Sequence, residues 1–237
     1  MFQSNKEYLE FLKQSGVHSF LQEKPNNYIP NKQINCKDNL NKEIKRLDEI
    51  ATIQDLIPII INHKSSLKKT AKNLVLYGGN THSKLMIIGG SPGQEEDEQG
   101  LPFAGEAGQL LDKMLSAIKL KREDIYFTNV IPWKLTQNRT PTDQEILEFL
   151  PFLQRQIEII EPKFIYLLGI TAAKAILSTP LSLEKLRGDW HEYKSINMEK
   201  SVKVIVSYHP AFLLHSPKFK KEAWSDLQKL QKELNEN

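Results

Sequence analysis

The residue in this sequence best suited to chemistry is His209, which precedes a proline and follows an apolar run at 202–207. Imidazole titrates near neutral pH and can donate, accept or transfer a proton. Proline restricts the backbone of the preceding residue, so the histidine ring can be held in one direction. A single histidine after a strand is more often structural than catalytic, and this residue alone leaves both interpretations open. Three apolar residues follow, Phe212, Leu213 and Leu214, and they would need a partner if exposed.

A second segment of chemical interest is the stretch 89–105, which contains five glycines. Glycine lets backbone amides approach a ligand closely. The acidic run at 95–98 would repel a phosphate, so a neutral ligand or a structured acidic turn fits this segment better. Phe103 suits either a core position or a platform for a flat ring. Asn129 can donate and accept at once, as recognition of a base edge requires, or it can simply cap a loop.

Four short apolar runs alternate with stretches of helical periodicity, and they predict the elements that position these residues. Because neighbouring parallel strands need a crossover of about a dozen residues, the alternation predicts an α/β fold. We expect a three-layer α/β/α sandwich around a central, mostly parallel, four-stranded sheet. Ligands bind outside the carboxyl ends of such strands. The predicted strands cover 85–88, 125–130, 164–169 and 202–207, and the loops that follow them cover 89–105, 129–139, 169–171 and 208–215.

The sequence before this alternating region predicts a separate N-terminal part. Residues 5–23 have the spacing of an amphipathic helix, 24–41 are polar and typical of a linker, and 42–63 predict a second helix. We therefore divide the chain into a helical extension with linker, 1–63, and a globular domain, 64–237.

The composition excludes several classes of protein. The 237 residues are 40% hydrophobic and 26% charged, which excludes a disordered or fibrous chain. The longest apolar run, 56–61, is far shorter than the roughly 20 residues of a membrane span, and no secretion signal is recognisable, so we expect a cytoplasmic protein. The single cysteine, Cys36, cannot form an internal disulfide or hold zinc or an iron–sulfur cluster alone. The net charge of +3 permits a nucleic-acid partner without requiring one.

Together these segments resemble the uracil-DNA glycosylase superfamily and, within it, the family 4 type. The resemblance extends from about Leu67 to the C-terminus and rests on order and spacing as well as residue identity. Each motif alone is weak, whereas their joint occurrence in this order is specific. The motifs are Pro-Gly-x-Glu-Glu-Asp at 92–97, Gly-Leu-Pro-Phe-Ala-Gly at 100–105, Thr-Asn-Val at 128–130, Asn-Arg-Thr-Pro at 138–141, Leu-Arg-Gly-Asp-Trp at 186–190 and His-Pro-Ala-Phe-Leu-Leu at 209–214.

The resemblance implies a monofunctional DNA glycosylase that extrudes a deoxyuridine from DNA, hydrolyses its N-glycosidic bond and leaves an abasic site in base-excision repair. By resemblance, Phe103 is the stacking aromatic, Asn129 the amide that pairs with the uracil edge, and His209 the histidine that stabilises the departing anion. The other residues implied are Gly89, Gly90, Pro92 and Gly93 around the base, Leu213 or Leu214 as the wedge that fills the vacated stack, and Arg187 as a phosphate contact.

The sequence departs from the family pattern in its first motif. Family members carry a glutamate at the place of Gly90, proposed to orient the attacking water, and glycine cannot do this. We expect Ser91, or a carboxylate of Glu95 or Glu96, to hold the water, although a hydroxyl is a poor general base at neutral pH. No lysine lies within 89–105, so no amine is placed there for Schiff-base lyase chemistry.

A second departure concerns the iron–sulfur cluster that four cysteines hold in family 4 proteins. Their positions are occupied here by Asn62, Ser65, Trp133 and Phe149, and Cys36 lies outside any matching motif. We therefore predict no cofactor and no metal. Packing of Trp133 and Phe149 is expected to connect these segments instead.

Two other functions remain open from the sequence. A DNA-binding module could have kept the pocket and lost its chemistry at Gly90, and a glycosylase could act on another deaminated base such as hypoxanthine. A small-nucleotide-binding protein is the alternative if the chain has no affinity for DNA. The expected partner is uracil-containing DNA, single-stranded or mismatched, bound by a monomer without a membrane.

Overall fold

The computed structural model describes residues 47–236. The predicted helix at 5–23 and the linker at 24–41 with Cys36 lie outside the described residues.

Six strands form one mixed sheet in the described part of the chain. They are β1 (Tyr77–Gly79), β2 (Leu85–Gly89), β3 (Tyr126–Asn129), β4 (Phe164–Leu168), β5 (Trp190–Tyr193) and β6 (Val202–Ser207). Their order across the sheet is β1-β3-β2-β4-β6-β5. The four inner strands run parallel, and β1 and β5 pair antiparallel at the two edges.

The inner strands are the four that the sequence predicts, and the α/β class is confirmed. The sheet has two strands more than predicted, because neither edge strand produces an apolar run. β1 has three residues, two of them glycine, and β5 is mostly polar and only partly buried. β2, by contrast, is buried along its whole length, as expected of a strand covered on both faces.

Helices cover both faces of the sheet and make the predicted three layers. The α-helices are α1 (Ile53–Asn62), α2 (Gln94–Gln99), α3 (Glu106–Ala117), α4 (Asp143–Ile160), α5 (Ile170–Leu177), α6 (Leu183–Leu186), α7 (Pro210–His215) and α8 (Lys220–Glu236). Side chains alternate along β2, so Met86 and Ile88 join a core with α1, α4 and α5, whereas Leu85 and Ile87 join a core with α3 and α8. None of the described helices is long and apolar enough to cross a membrane.

Within the predicted helix at 42–63, Leu47 and Asp48 are helical, 49–52 are not, and α1 begins at Ile53. Thr52 caps α1 by accepting a hydrogen bond from the Asp55 amide at 3.2 Å. Its buried face, Leu56 and Ile60, lies in the same hydrophobic core as Phe149 of α4. The described part of segment 1–63 therefore packs against the domain at 64–237.

The predicted capping box of α4 is confirmed. Thr142 Oγ1 accepts from the Glu145 amide at 3.2 Å, and Glu145 Oε2 accepts from the Thr142 amide at 2.8 Å. Arg139 also donates to both Glu145 oxygens, and this hydrogen bonding lowers the pKa of Glu145 to about 2. The motif at 138–141 is thus anchored to the start of α4.

Candidate active site at the carboxyl end of the sheet

The carboxyl ends of the inner strands meet at one edge of the sheet and bring the predicted loops together. Gly89 at the end of β2 is in register with Asn129 at the end of β3, and Leu168 of β4 is in register with Ser207 of β6. The alignment continues beyond the strands, because the Val130 amide donates to the Gly89 carbonyl at 3.0 Å. Residues far apart in sequence therefore share one pocket.

Phe103, Asn129 and His209 lie together in this pocket. The rings of Phe103 and His209 are nearly parallel, with centroids 5.9 Å apart and an interplanar angle of 26°. A Cβ atom added at Gly89 would overlap Asn129 Oδ1 and lie 2.8 Å from Phe103 Cζ. The amide and the phenyl ring therefore occupy the space next to Gly89, and only glycine leaves room for both.

The backbone of Phe103 is left-handed, with a φ of +54°. Gly108 in the first turn of α3 approaches so closely that a Cβ there would overlap the Phe103 carbonyl. The ring packs edge-on against Phe127 with centroids 5.8 Å apart, and only 4% of the residue is exposed. Backbone strain of this kind is typical of functional sites, and here it turns the ring toward the pocket.

The carboxamide of Asn129 has no hydrogen-bond partner among the described residues. The residue as a whole is 4% exposed, and its side chain makes no hydrogen bond to any other residue that the structure describes. Asn129 is therefore free to pair with a ligand that offers one donor and one acceptor.

His209 caps the N-terminus of α7 with its own ring. Nδ1 accepts a hydrogen bond from the Ala211 amide at 3.2 Å, which assigns the proton of a neutral ring to Nε2. Desolvation by burial lowers the pKa of His209 to about 4, although part of the residue surface remains accessible. Gly169, with a φ of +89°, packs behind it, since a Cβ there would lie 3.3 Å from the His209 Cβ. The site thus presents a neutral imidazole that donates through Nε2.

The acidic run of the first loop is largely structural. Glu96 accepts hydrogen bonds from the amides of Gly93 at 2.9 Å and Gly105 at 3.2 Å, which closes the loop around α2. Asp97 is 4% exposed and accepts from the amides of Lys72 at 2.8 Å and Asn73 at 3.1 Å. The structured acidic turn, one of the two alternatives, is therefore present.

The side chains available for a water molecule near Gly90 are hydroxyls. Ser91 is half-buried, and neither its hydroxyl nor that of Thr171 has a hydrogen-bond partner among the described residues. A Cβ at Gly90 would lie 3.3 Å from Thr171 Cβ and 3.6 Å from its Oγ1. Glu95 is exposed, with its carboxylate beside Gly105. The sequence predicts a loop at 169–171, but Thr171 lies in the first turn of α5, and only the fold places it beside Gly90.

Two other predicted substrate contacts lie in the loop after β2. Pro92 is buried and Gly93 is half-buried, and Gly93 caps α2.

Two of the predicted DNA contacts have partners within the protein. Leu213 is 1% exposed and packs with Tyr208 and Ala223, so it cannot enter a base stack from this position. Arg187 donates to Asp226 through Nε and Nη2, and its side chain is 18% exposed. The third, Leu214, is half-buried on α7. Phe212, on the same helix, is exposed, with 40% of its surface accessible.

The four positions that correspond to the family's cluster cysteines do not fit an iron–sulfur cluster. Asn62 and Ser65 offer no thiolate, and Phe149 is fully buried in the core beside Trp133. Lys68 closes the same region by donating to the carbonyls of Ile61 and His63, with its ammonium 5.9 Å from the Trp133 ring centroid. No group of three or more His, Cys, Asp or Glu side chains within 47–236 could hold a metal ion.

Comparison with known proteins agrees with the fold and the pocket. Residues 77–228 match the uracil DNA glycosylase superfamily, which is more than half of the chain. The chain belongs to this superfamily.

Within the superfamily, the chain is similar to type-4 uracil-DNA glycosylases. It is 37% identical to the type-4 enzyme of Archaeoglobus fulgidus over 76% of this chain and 92% of the relative. The type-4 enzyme of Pyrobaculum aerophilum is 36% identical over 74% of this chain and 91% of that protein. The type-4 enzyme of Thermotoga maritima is 39% identical over 61% and 73%, respectively.

Proposed function

We propose that this protein is a uracil-DNA glycosylase, which hydrolyses the N-glycosidic bond of deoxyuridine in DNA and leaves an abasic site. The observation that carries the proposal is the single pocket formed by Phe103, Asn129 and His209. The name of the type-4 relatives supports the same activity. As in other monofunctional glycosylases, water is the nucleophile, and base-excision repair is the process served.

Selection of uracil is assigned to Asn129. Its carboxamide donates to one uracil carbonyl and accepts from the ring N–H, while Phe103 stacks on the base. Cytosine has an amino donor in place of that carbonyl and a ring-nitrogen acceptor in place of the N–H. Its binding would therefore leave the Asn129 amide mispaired. Sites built to hydrogen-bond one pattern reject the other strongly for this reason.

Departure of the base is assigned to His209. As the glycosidic bond breaks, negative charge develops on the uracil ring, and a donor aimed at that charge stabilises the transition state more than the ground state. The neutral ring fits this task, since its Nδ1 is occupied by the Ala211 amide and its Nε2–H remains available. Burial strengthens the interaction, because the local dielectric constant is low.

The attacking water is assigned to the hydroxyls near Gly90, with Ser91 and Thr171 as its holders. A hydroxyl can orient a water, but it does not remove a proton as a carboxylate does, and one missing general base commonly costs about 10² to 10⁴-fold in rate. We therefore expect slow turnover. Glu95, the sequence-based alternative, would need its exposed side chain to turn inward.

The substrate is DNA in which the uracil is unpaired or mismatched, because extruding such a base costs least. The protein acts on it as a monomer. Leu214 and Phe212, on α7 after His209, are assigned to the gap that the extruded base leaves.

The proposal predicts release of uracil from a single-stranded oligonucleotide and from a U·G duplex. Asn129→Ala and His209→Ala should each lower the single-turnover rate at least roughly tenfold, because each removes a donor or acceptor used in the transition state. Residues of the same types outside the pocket provide controls, half-buried Asn80 and exposed His82, and Asn80→Ala and His82→Ala should keep the wild-type rate. Absence of uracil release at stoichiometric enzyme, above a heat-inactivated control, would reject the activity.

A second candidate function is binding without catalysis, and Gly90 is the observation that favours it. The same oligonucleotides separate the two, because a binding module would retain uracil-containing DNA in a mobility-shift assay and leave it intact. A panel with hypoxanthine in place of uracil tests whether the pocket accepts another deaminated base.

A further inference from the structure

A buried ion pair lies directly behind the segment that carries His209. Arg187 and Asp226 of α8 join through two hydrogen bonds, from Nη2 to Oδ1 at 2.5 Å and from Nε to Oδ2 at 3.1 Å. The side chains are 18% and 1% exposed. Arg187 Nη2 also donates to the carbonyl of Glu222 at 2.9 Å. The guanidinium is therefore fixed in place from several directions.

The same pair holds the two residues that precede His209. Ser207, the last residue of β6, donates through its hydroxyl to Asp226 Oδ2 at 2.7 Å. The Arg187 guanidinium carbon lies 5.3 Å from the centroid of the Tyr208 ring, and the Tyr208 hydroxyl donates to Glu222 at 3.0 Å. Asp226 thus holds Ser207, and the Arg187–Glu222 pair holds Tyr208. Together these contacts determine where the chain leaves the sheet before His209.

The backbone at Gly188 brings Arg187 to this position. Gly188 has a φ of +74°, and its amide donates to the Val206 carbonyl of β6 at 3.0 Å. A Cβ at Gly188 would lie 2.7 Å from Asp226 Oδ1, so a larger residue would displace the carboxylate. The Leu-Arg-Gly motif at 186–188 is therefore built to place a guanidinium beside Asp226.

We propose that Arg187 and Asp226 are positioning residues for His209, acting through Ser207 and Tyr208, and that Arg187 is not a phosphate contact. A buried pair of this kind contributes little to stability compared with apolar packing, since its desolvation cost offsets its attraction. It does hold its neighbours in one geometry. A transition-state donor needs such placement, because an error of about 1 Å can cost on the order of 10²-fold in rate. This inference rests on the proposed function of His209.

The mildest test is Ser207→Ala, which removes the link between Asp226 and the strand and leaves the ion pair intact. We expect kcat for uracil release to fall about tenfold with KM for DNA nearly unchanged, because binding groups stay in place. Arg187→Ala should also lower kcat with KM nearly unchanged, and the fall in kcat should be larger. Arg187→Lys should restore only part of kcat, since a lysine cannot make the bidentate contact.

Salt dependence distinguishes positioning from phosphate contact. Loss of one phosphate contact lowers the slope of log K against log salt by about 1. We expect Arg187→Ala to bind DNA with the wild-type slope, and a slope lowered by about 1 with unchanged kcat would overturn the proposal. Arg155→Ala is a matched control, because Arg155 is also a buried arginine that pairs with a carboxylate, Glu158, and a backbone carbonyl, in the other helical layer. It should leave kcat unchanged.

A readout in the free protein separates this inference from the proposed activity. Ser207→Ala should shift the ring ¹H and ¹⁵N resonances of His209 in NMR spectra, whereas Arg155→Ala should not. Unchanged His209 resonances in a folded Ser207→Ala variant would refute the positioning role even if the wild-type protein proved inactive. If the wild-type protein releases no uracil but Ser207→Ala still shifts the His209 resonances, only the proposed activity is refuted.

Discussion

The three residues of the pocket each depart from what stable packing favours. Phe103 has a left-handed backbone, Asn129 a carboxamide without a hydrogen-bond partner within the described chain, and His209 a desolvated imidazole. Each departure costs free energy in the folded protein. Local departures of this kind cluster where function requires them. The pocket is therefore arranged before substrate arrives, which reduces the reorganisation needed during the reaction.

The lowered pKa of His209 predicts a rate without an inflection near pH 6.5. The folded-state pKa is about 4, below the ordinary 6.5, so the ring stays neutral and Nε2–H remains a donor down to about pH 5. We expect kcat/KM for uracil release to be independent of this group between pH 8 and 5. A ¹⁵N titration of the ring should place its midpoint near 4, and a midpoint near 6.5 would contradict the assignment.

The lowered pKa of His209 also makes the free energy of unfolding depend on pH. Because the unfolded chain binds a proton to this histidine more readily than the folded protein does, the free energy of unfolding should fall as pH decreases from about 6.5 toward 4. His209→Asn should weaken that part of the dependence in urea titrations.

At the scale of elements, helix α7 separates a structural face from an accessible one. Leu213 packs with Tyr208 and Ala223, whereas Phe212 remains 40% exposed with its ring stacked on Tyr208 at a centroid distance of 5.2 Å. Helix α7, which begins after the proposed catalytic His209, can therefore be anchored by Leu213 and present Phe212 to DNA.

This division predicts opposite effects for neighbouring substitutions. Leu213→Ala should lower the free energy of unfolding by about 2 to 5 kcal/mol, because it leaves a cavity in the core. Phe212→Ala should lower stability less, because 40% of Phe212 is already exposed. It should reduce uracil release from duplex by roughly tenfold, because the ring can no longer stack in the gap. Single-stranded DNA has no such gap, so the loss should be smaller there. Equal losses of rate on both substrates would refute the role of Phe212. Chemical denaturation and single-turnover kinetics measure the two effects.

At the scale of the whole molecule, we expect the domain to be held together without a metal. The segments around Asn62, Ser65, Trp133 and Phe149 meet through apolar packing and through Lys68, which caps the C-terminal end of α1. A cation at that end of a helix is favourable, since the carbonyls there carry partial negative charge.

The prediction is a protein free of iron and indifferent to chelators. Iron analysis of anaerobically purified protein should give none, its visible spectrum should lack cluster absorbance, and EDTA should leave Tm unchanged. Phe149→Ala should lower the free energy of unfolding by about 3 to 5 kcal/mol, because Phe149 is a buried side chain that connects these segments. Stoichiometric iron would refute this prediction.

Much of this molecule is determined by its sequence. Four apolar runs define the parallel core of the sheet, because strands buried on both faces need continuous apolar residues, and the capping box defines the start of α4. The places of Phe103, Asn129 and His209 in segments after those strands predict that they lie at one edge of the sheet, since parallel strands bring their carboxyl ends together. Their roles were inferred from the resemblance to the glycosylase family.

Other features were decided only by the tertiary structure. The edge strands β1 and β5 are held by pairing with a neighbour, which leaves no apolar pattern in their own residues. Which leucine of α7 is buried depends on α3 and α8, and whether Arg187 faces solvent or Asp226 depends on a contact 39 residues away in sequence. Whether a side chain is buried or ion-paired depends on the residues that the fold places around it. The sequence specifies the chemistry of each side chain but not those neighbours.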